Sequence, residues 1–368
     1  MKEAHLILLF DGTGRHADEK TQSNCVKINH CLETGEVEPG YFQATNYYSG
    51  IGTSEASFLQ RTLSQVRGHG AQERLMQGYL DVCEFANNHC EADIKLSIAG
   101  FSRGFVIGLV LQKMIHKAGI LDFEKIAAER GQDELNEEDK AELARHVFEE
   151  LYISELKPSD PKVQRFRSEH SFDSIPEFHL FAFDPVATFA NHPNYKPFRL
   201  VTDVEGEEHL LHSPKLPRST ASYTEIIALH EKRGTFNVLR VDTPEHYEID
   251  RTTMYMEGDH SSIGGGSHLR EGLADVAGIE MLKQMSEKAS IAVDHHKVEE
   301  LFDPDLTICP DNKFGSMTFL SECFFYAATR TFSKLRLREL APATDELHES
   351  VFVRQGQEAD ELGMQGST

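Results

Sequence analysis

The sequence contains no tryptophan, and none of its apolar runs approaches the ~18 residues a membrane-spanning helix needs. The longest candidate, Phe105 to Leu111, is seven residues. Cationic side chains are scarce: 37 Lys and Arg stand against 60 Asp and Glu, a formal charge of −23. That balance argues against a nucleic-acid binder and opposes adsorption to an anionic membrane, although salt screens the latter beyond about 8 Å. Cysteine is sparse too. The six present (Cys25, Cys31, Cys83, Cys90, Cys309, Cys323) form no C-x-x-C pair and no zinc-type spacing, and read as reduced thiols of a cytosolic fold. The first apolar run, Ala4–Phe10, contains His5 and ends on Asp11 with no small-residue cleavage site, so no secretory signal is expected. The expected location is the cytoplasm, or outside it by a route without a cleavable signal. With 39% hydrophobic and 26% charged residues, and neither Gly (26) nor Pro (13) in excess, a folded globular protein is expected.

A length of 368 residues allows two or three domains at about 150 residues each. Short apolar runs recur and end on a charged or glycine turn: Ala4–Phe10, Ile94–Ala99, Phe178–Phe183, Phe236–Val241 and Thr252–Met256. Their length and their Ile, Leu, Val, Phe and Tyr content predict buried strands. Helical spacing over Glu73–Asn87 and Phe105–Ala118 separates them, which predicts an α/β domain with a mainly parallel sheet over residues 1–341. The stretch from Leu121 to about Phe172 reads as a helical insertion. Asn136 followed by Asp139 can cap a helix whose stripe is Leu143, Val147 and Leu151. Because it leaves directly after the predicted helix Phe105–Ala118 and returns just before the apolar run Phe178–Phe183, both of which adjoin candidate site residues, it is expected to cap the site, the alternative being that it packs outside the sheet. His192–Pro217 reads as a long surface loop, and 342–368 as a polar, fraying tail.

The sharpest chemical signal is Gly100-Phe101-Ser102-Arg103-Gly104, placed between a predicted strand and a predicted helix. Glycines on both sides permit the tight turn that projects a nucleophilic serine, and the Arg103 amide at the helix start can donate one oxyanion bond. A serine needs a base and the base an orienting acid, in the chain order Ser, acid, His. Asp184 closes one apolar run before Pro185. His260 follows another and precedes Ser261-Ser262-Ile263-Gly264-Gly265-Gly266. Asp242 is the second choice of acid, and Asp259 also lies near a strand end. Phe10-Asp11-Gly12-Thr13-Gly14 ends the first strand. An aspartyl-phosphatase motif would want Asp where Thr13 stands, so the better reading is a loop giving a second oxyanion amide from Gly12 or Thr13, held by Asp11 bonding to its amides. No G-x-x-x-x-G-K-[ST] or G-x-G-x-x-G occurs, which counts against nucleotide binding.

Taken in order, the Asp11, Ser102 and Asp184 segments and His260–Gly266, with Tyr48–Thr53 and His230–Phe236, resemble an α/β-hydrolase family that includes the phospholipase effectors of bacterial type VI secretion. The resemblance covers about residues 4–285. It implies an α/β-hydrolase-like fold, Ser102 as nucleophile, His260 as base and Asp184 as acid. It also implies a lipid or other ester as substrate, a secretion-system or immunity partner, and no metal or organic cofactor. Two departures stand out: Phe105 occupies a position usually held by Ala, and Ser262 one usually held by Asp. The lipase effectors carry a large C-terminal membrane-engaging module, whereas about a hundred residues follow the glycine run here. Two rival readings are a metal-dependent phosphoesterase built on Asp11, Asp184, Asp259 and His260, which chelators would inhibit, and a catalytically silent hydrolase scaffold that only binds.

Overall fold

The structure is a computed structural model that describes residues 2–51, 71–154, 156–186, 215–231, 238–244 and 246–305. Its centre is a seven-stranded sheet in the order β2-β3-β1-β4-β5-β6-β7. The strands are β1 (Glu3–Phe10), β2 (Gly35–Glu38), β3 (Tyr41–Tyr48), β4 (Asp93–Phe101), β5 (Glu177–Phe183), β6 (Thr220–Ala228) and β7 (Asp250–Met256). Only β2–β3 is antiparallel; the other neighbours are parallel.

The nearly unbroken apolar strands follow from burial on both faces. Leu6, Leu8, Phe10, Leu96, Ile98 and Leu180 point to one face and Ile7, Leu9, Ala99, Phe101, Phe181 and Phe183 to the other, with the period of two that a pleated strand imposes. Helices α2 (Ala71–Asn88) and α3 (Arg103–Ala118) cover the first face; α1 (Asn24–Cys31) and, farther along, α8 (Glu271–Ala289) cover the second. Because β3 and β4 lie on opposite sides of β1, the chain changes direction there. The carboxyl ends of β1 and β4 flank the crevice where such sheets bind ligands.

Two expectations need correction. Phe236–Val241 does not form a sheet strand where it is described: Val238 makes one isolated bridge to Val186, and Leu239 N–H donates to Pro185 O at 2.8 Å. The sheet position goes to β6, whose polar residues hide it from a hydropathy reading. Glu225 in its middle is buried and accepts from Tyr223 (2.7 Å), Arg251 (2.7 Å) and Thr253 (2.8 Å), which offsets the cost of a charge inside a sheet.

The second correction concerns the insertion. It is helical, with α4 (Phe123–Arg130), α5 (Glu137–His146), a widened turn over Val147–Tyr152 and α6 (Pro161–His170). Asn136 accepts from Asp139 N–H at 2.9 Å, and Leu143, Val147 and Leu151 are buried as expected. The insertion does not cap the crevice. Helix α3, 16 residues and so about 24 Å long, carries the chain from Ser102 back to the opposite edge of the sheet, and the insertion begins there. Leu121 bridges to Ser171, Tyr79 OH donates to Gly119 O at 3.0 Å, and Lys117 Nζ donates to Tyr152 O at 3.1 Å. The apolar stripe joins the core on the α2–α3 face. The loop expected over His192–Pro217, all but its last three residues, and the tail 342–368 lie outside the described residues, as does the expected domain end at 341.

Candidate active site

Four chain segments bring polar residues to the carboxyl edge of the sheet: Asp11, Ser102 and Asp184 each stand one step beyond a strand, and His260 follows the end of β7 by four residues. The ladder fixes the first three there. Asp11 N–H donates to Tyr48 O (3.0 Å), Ser102 N–H to Phe183 O (3.0 Å), and Asp184 N–H to Ile226 O (2.7 Å). Ser102 and Asp184 therefore sit on adjacent strands, about 4.8 Å apart in the sheet direction.

Ser102 has φ 58° and ψ −127°, a conformation that costs a non-glycine residue on the order of 1–3 kcal/mol and recurs at functional sites. The strain is held in place by close packing: a Cβ on Gly104 would stand 2.3 Å from Phe10 O, so the helix start can lie against the end of β1 only with glycine there. Asp184 also has positive φ, 39°. Its carboxylate is fully buried. One oxygen accepts Ala228 N–H at 3.1 Å, and the other meets His260 Nδ1 at 2.7 Å.

His260 opens the short helix α7 (His260–Gly264) after β7. Asp259 caps that helix, accepting from Ser261 and Ser262 N–H at 3.1 Å each, and pairs with Arg270 at 2.9 Å. Ser262 returns its hydroxyl to Asp259 at 3.0 Å. The helix folds back over the residue preceding the serine: the Phe101 ring lies 4.6 Å from the imidazole, and a Cβ on Gly264 would stand 2.0 Å from it. Ser102, Asp184 and His260 are all under 6% exposed at this one edge.

The loop after β1 divides differently from the expectation. Gly12 N–H donates to the Asp11 carboxylate at 2.7 Å, so it is not offered to the crevice. This corrects the reading of Gly12 as an oxyanion donor and leaves Thr13, whose hydroxyl is buried without a hydrogen-bond partner among the described residues. Burial pushes the Asp11 carboxyl up to about 6, opposed by hydrogen bonds from Ser23, Tyr47 and Gly12. At the start of α3, burial lowers the Arg103 guanidinium to about 10, which leaves it cationic at neutral pH.

The other candidates fall away on position. Asp242 is exposed, and its backbone oxygen accepts from Leu216 N–H at 2.9 Å, beside β7 and away from His260. Asp11 and Asp259 are each committed to partners of their own, and among the described residues no three His, Cys, Asp or Glu side chains group as a metal site needs. That grouping is what the phosphoesterase reading required. Residues that the sequence did not single out also hold the histidine. Glu231 is 3% exposed and accepts His260 N–H at 3.3 Å; His230 Nδ1 accepts Gly258 N–H at 3.1 Å. Only their membership in the His230–Phe236 segment hinted at them.

The class these features define is α/β-hydrolase-like: a mostly parallel sheet flanked by helices, with a serine in a strained strand-to-helix turn. The family model described as type VI secretion system phospholipase effector Tle1-like, catalytic domain, matches residues 4–286. The chain belongs to that family. Among solved structures, an uncharacterized protein from Pseudomonas aeruginosa is similar at 16% identity and a TM-score of 0.45, over 83% of this chain and 49% of that one. The structure of the Tle1 effector bound to the VgrG spike from the type 6 secretion system is similar at 18% identity and a TM-score of 0.34, over 74% and 53%. The chain thus spans about half the length of each. No curated protein matches.

Proposed function

We propose that the chain hydrolyses carboxylic ester bonds of phospholipids through Ser102, His260 and Asp184. The observation that carries this reading is the 2.7 Å contact between buried Asp184 and His260 Nδ1, made on the strand next to a serine in an elbow conformation. A carboxylate on Nδ1 keeps the proton there and leaves Nε2 free to act as a base. Ser102 Oγ attacks the acyl carbonyl as its proton passes to His260 Nε2. The carbonyl electron pair moves onto oxygen, where the Arg103 and Thr13 amides can receive it. His260 then protonates the departing glycerol oxygen, the C–O bond breaks, and an acyl-serine remains. Water, deprotonated by the same imidazole, releases the fatty acid and restores the serine. The phospholipid assignment rests on the family, whose description names phospholipase effectors. On the same ground, delivery by a type VI secretion apparatus is proposed.

The test is a panel of soluble esters and phospholipid vesicles run with wild type and Ser102→Ala, beside labelling by a fluorophosphonate. One label at Ser102, lost in Ser102→Ala and nearly lost on replacing His260, is the expected result. A folded wild type that takes no label would turn the reading toward a silent scaffold. Labelling with cleavage of soluble esters but not of vesicles would remove phospholipid as substrate.

A further inference from the structure

The carboxylate of Asp11 has no part in the chemistry above, yet it is 2% exposed and sits between the two halves of the site. One oxygen accepts Gly12 N–H at 2.7 Å. The other accepts Ser23 Oγ at 2.5 Å and Tyr47 OH at 2.7 Å. The three donors come from the loop itself, the cap of α1 and the end of β3. An ionised carboxylate offers only acceptors, so it can satisfy all three at once; a protonated one turns one lone pair into a donor.

Ser23 passes the tie onward. It caps α1 by accepting Val26 N–H at 3.3 Å, and it bridges to Gly265, four residues past Ser261. Gly266 N–H donates to Gln22 O at 3.0 Å, and Asn24 Nδ2 to Ile263 O at 2.8 Å. From the other side of the loop, Arg15 donates to Gly266 O at 2.6 Å while its own N–H bonds Gly12 O at 3.0 Å. The loop that carries Thr13 and the segment that carries His260 are thus braced through residues that converge on one carboxylate.

We propose that Asp11, in its ionised form, is a positioning residue that sets the Thr13 loop and the His260 segment relative to each other, and that its protonation loosens both. The catalytic half rests on the reading of Ser102, His260 and Thr13 given above. The charged and titratable groups that act on Asp11 are Arg15 on its own loop, Tyr47 on β3 and Cys25 on α1, with Glu19 beyond them acting on Tyr47. Burial outweighs the donors and the Arg15 cation and brings Asp11 to about 6, where small changes in pH move its charge. Removing a donor raises it further.

The variants are Asp11→Asn, Tyr47→Phe and Ser23→Ala in the full chain, read in two ways. The first is amide hydrogen exchange, which needs no catalysis: Gly266 N–H exchanges at least tenfold faster in Asp11→Asn than in wild type at pH 7.5, and in wild type its protection, taken relative to the intrinsic exchange rate at each pH, falls as pH drops through about 6. The second is the pH profile for 4-nitrophenyl butyrate. An ionisation near 6 on the acid limb disappears in Asp11→Asn and moves upward in Tyr47→Phe and Ser23→Ala, while the Asp11→Asn plateau kcat drops roughly 10- to 100-fold with KM nearly unchanged. Thermal unfolding confirms that each variant is folded. Unchanged exchange at Gly266 overturns the brace whatever the activity. Changed exchange with an acid limb common to all four proteins overturns the link to catalysis, and leaves the Ser102 reading to its own labelling test.

Discussion

Replacing Asp184 by asparagine changes a single oxygen to an amino group, and the surroundings determine how the amide must sit. In wild type one oxygen accepts Ala228 N–H at 3.1 Å and the other faces His260 Nδ1 at 2.7 Å, at a position with no solvent exposure. With the Asn oxygen kept on Ala228, the NH2 group faces His260. Nδ1 must then become an acceptor, so the proton moves to Nε2. With the amide flipped, NH2 is opposed to the Ala228 N–H, two donors face to face in a dry site. Leaving such a donor unsatisfied costs about 1–3 kcal/mol, roughly a 5- to 150-fold preference for the first pose. The favoured pose gives the imidazole the tautomer that cannot take a proton from Ser102. Loss of the negative charge that stabilises the imidazolium adds to this bias in either pose, so the expected result is a folded protein whose kcat falls by more than about tenfold and by up to ~10⁴-fold, with fluorophosphonate labelling slowed in parallel.

The assay is the initial rate on a soluble ester at several concentrations, beside the labelling rate and a circular dichroism spectrum. KM should hardly move, because the change acts on proton transfer and not on substrate contact. Asp242→Asn is the matched control: that side chain is exposed and should tolerate the change. A folded Asp184→Asn keeping more than about a tenth of the wild-type rate would refute the assignment. So would loss of activity in Asp242→Asn alone.

Phe101→Ala removes a ring 3% exposed that lies tilted against His260, so it should destabilise by about 3–5 kcal/mol and slow labelling; a variant with unchanged melting and unchanged labelling would show that the ring does not seat the histidine. Replacing residues 125–168 with a short Gly/Ser linker strips Leu143, Val147 and Leu151 from the α2–α3 core, so activity on short and long esters should fall together with stability. Collapse of long-chain selectivity alone would restore the cap. His5 and His179 are buried and lowered to about 3 and about 4, chiefly by desolvation. Their folded values lie below the unfolded 6.5, so the stability they contribute is present above pH 6.5 and is lost as pH falls from there toward 4 and 3, at up to about 1.4 kcal/mol per unit each. Asp11, raised to about 6, works the other way between 6 and 3.8. Melting temperatures between pH 7 and 5 should therefore drop, and drop less in His5→Gln; an identical drop in both would discard this account.

Of the strands that a hydropathy reading finds, β1, β4 and β5 are buried by continuous apolar runs and β7 only over its last residues, Tyr255 and Met256, and the candidate site residues were legible because each follows such a run. What escaped has a common physical cause: polarity satisfied in three dimensions. In β6, Glu225 is compensated by Arg251, 26 residues away in sequence. In β3, Gln43 is fully buried because its amide donates to Glu33 O and Ala292 O and accepts from Ala292 N–H. No local window contains those partners. The position of the insertion was missed for a geometric reason: adjacency in sequence to Ser102 and Asp184 ignores that α3 and β5 each span the sheet, so the connection between them lies at its far edge.

Ser262, where the family resemblance leads to an expectation of Asp, shows how local chemistry can absorb such a departure. A carboxylate at 262 would lie beside Asp259, whose Oδ1 already takes three donors from residues 261 and 262, one of them the Ser262 hydroxyl. With serine there, Asp259 and Ser262 form a reciprocal capping box, Asp259 N–H donating back to Ser262 Oγ at 3.2 Å. Two carboxylates could not share those donors without repulsion. Ser262 is fully buried, so a charge there would also be desolvated. His260 keeps its orientation from Asp184 on the imidazole, Glu231 on its N–H and Phe101 against its ring, none of which involves residue 262. In this chain the substitution therefore bears on how α7 begins, and the acid that the proposed chemistry needs is supplied from β5.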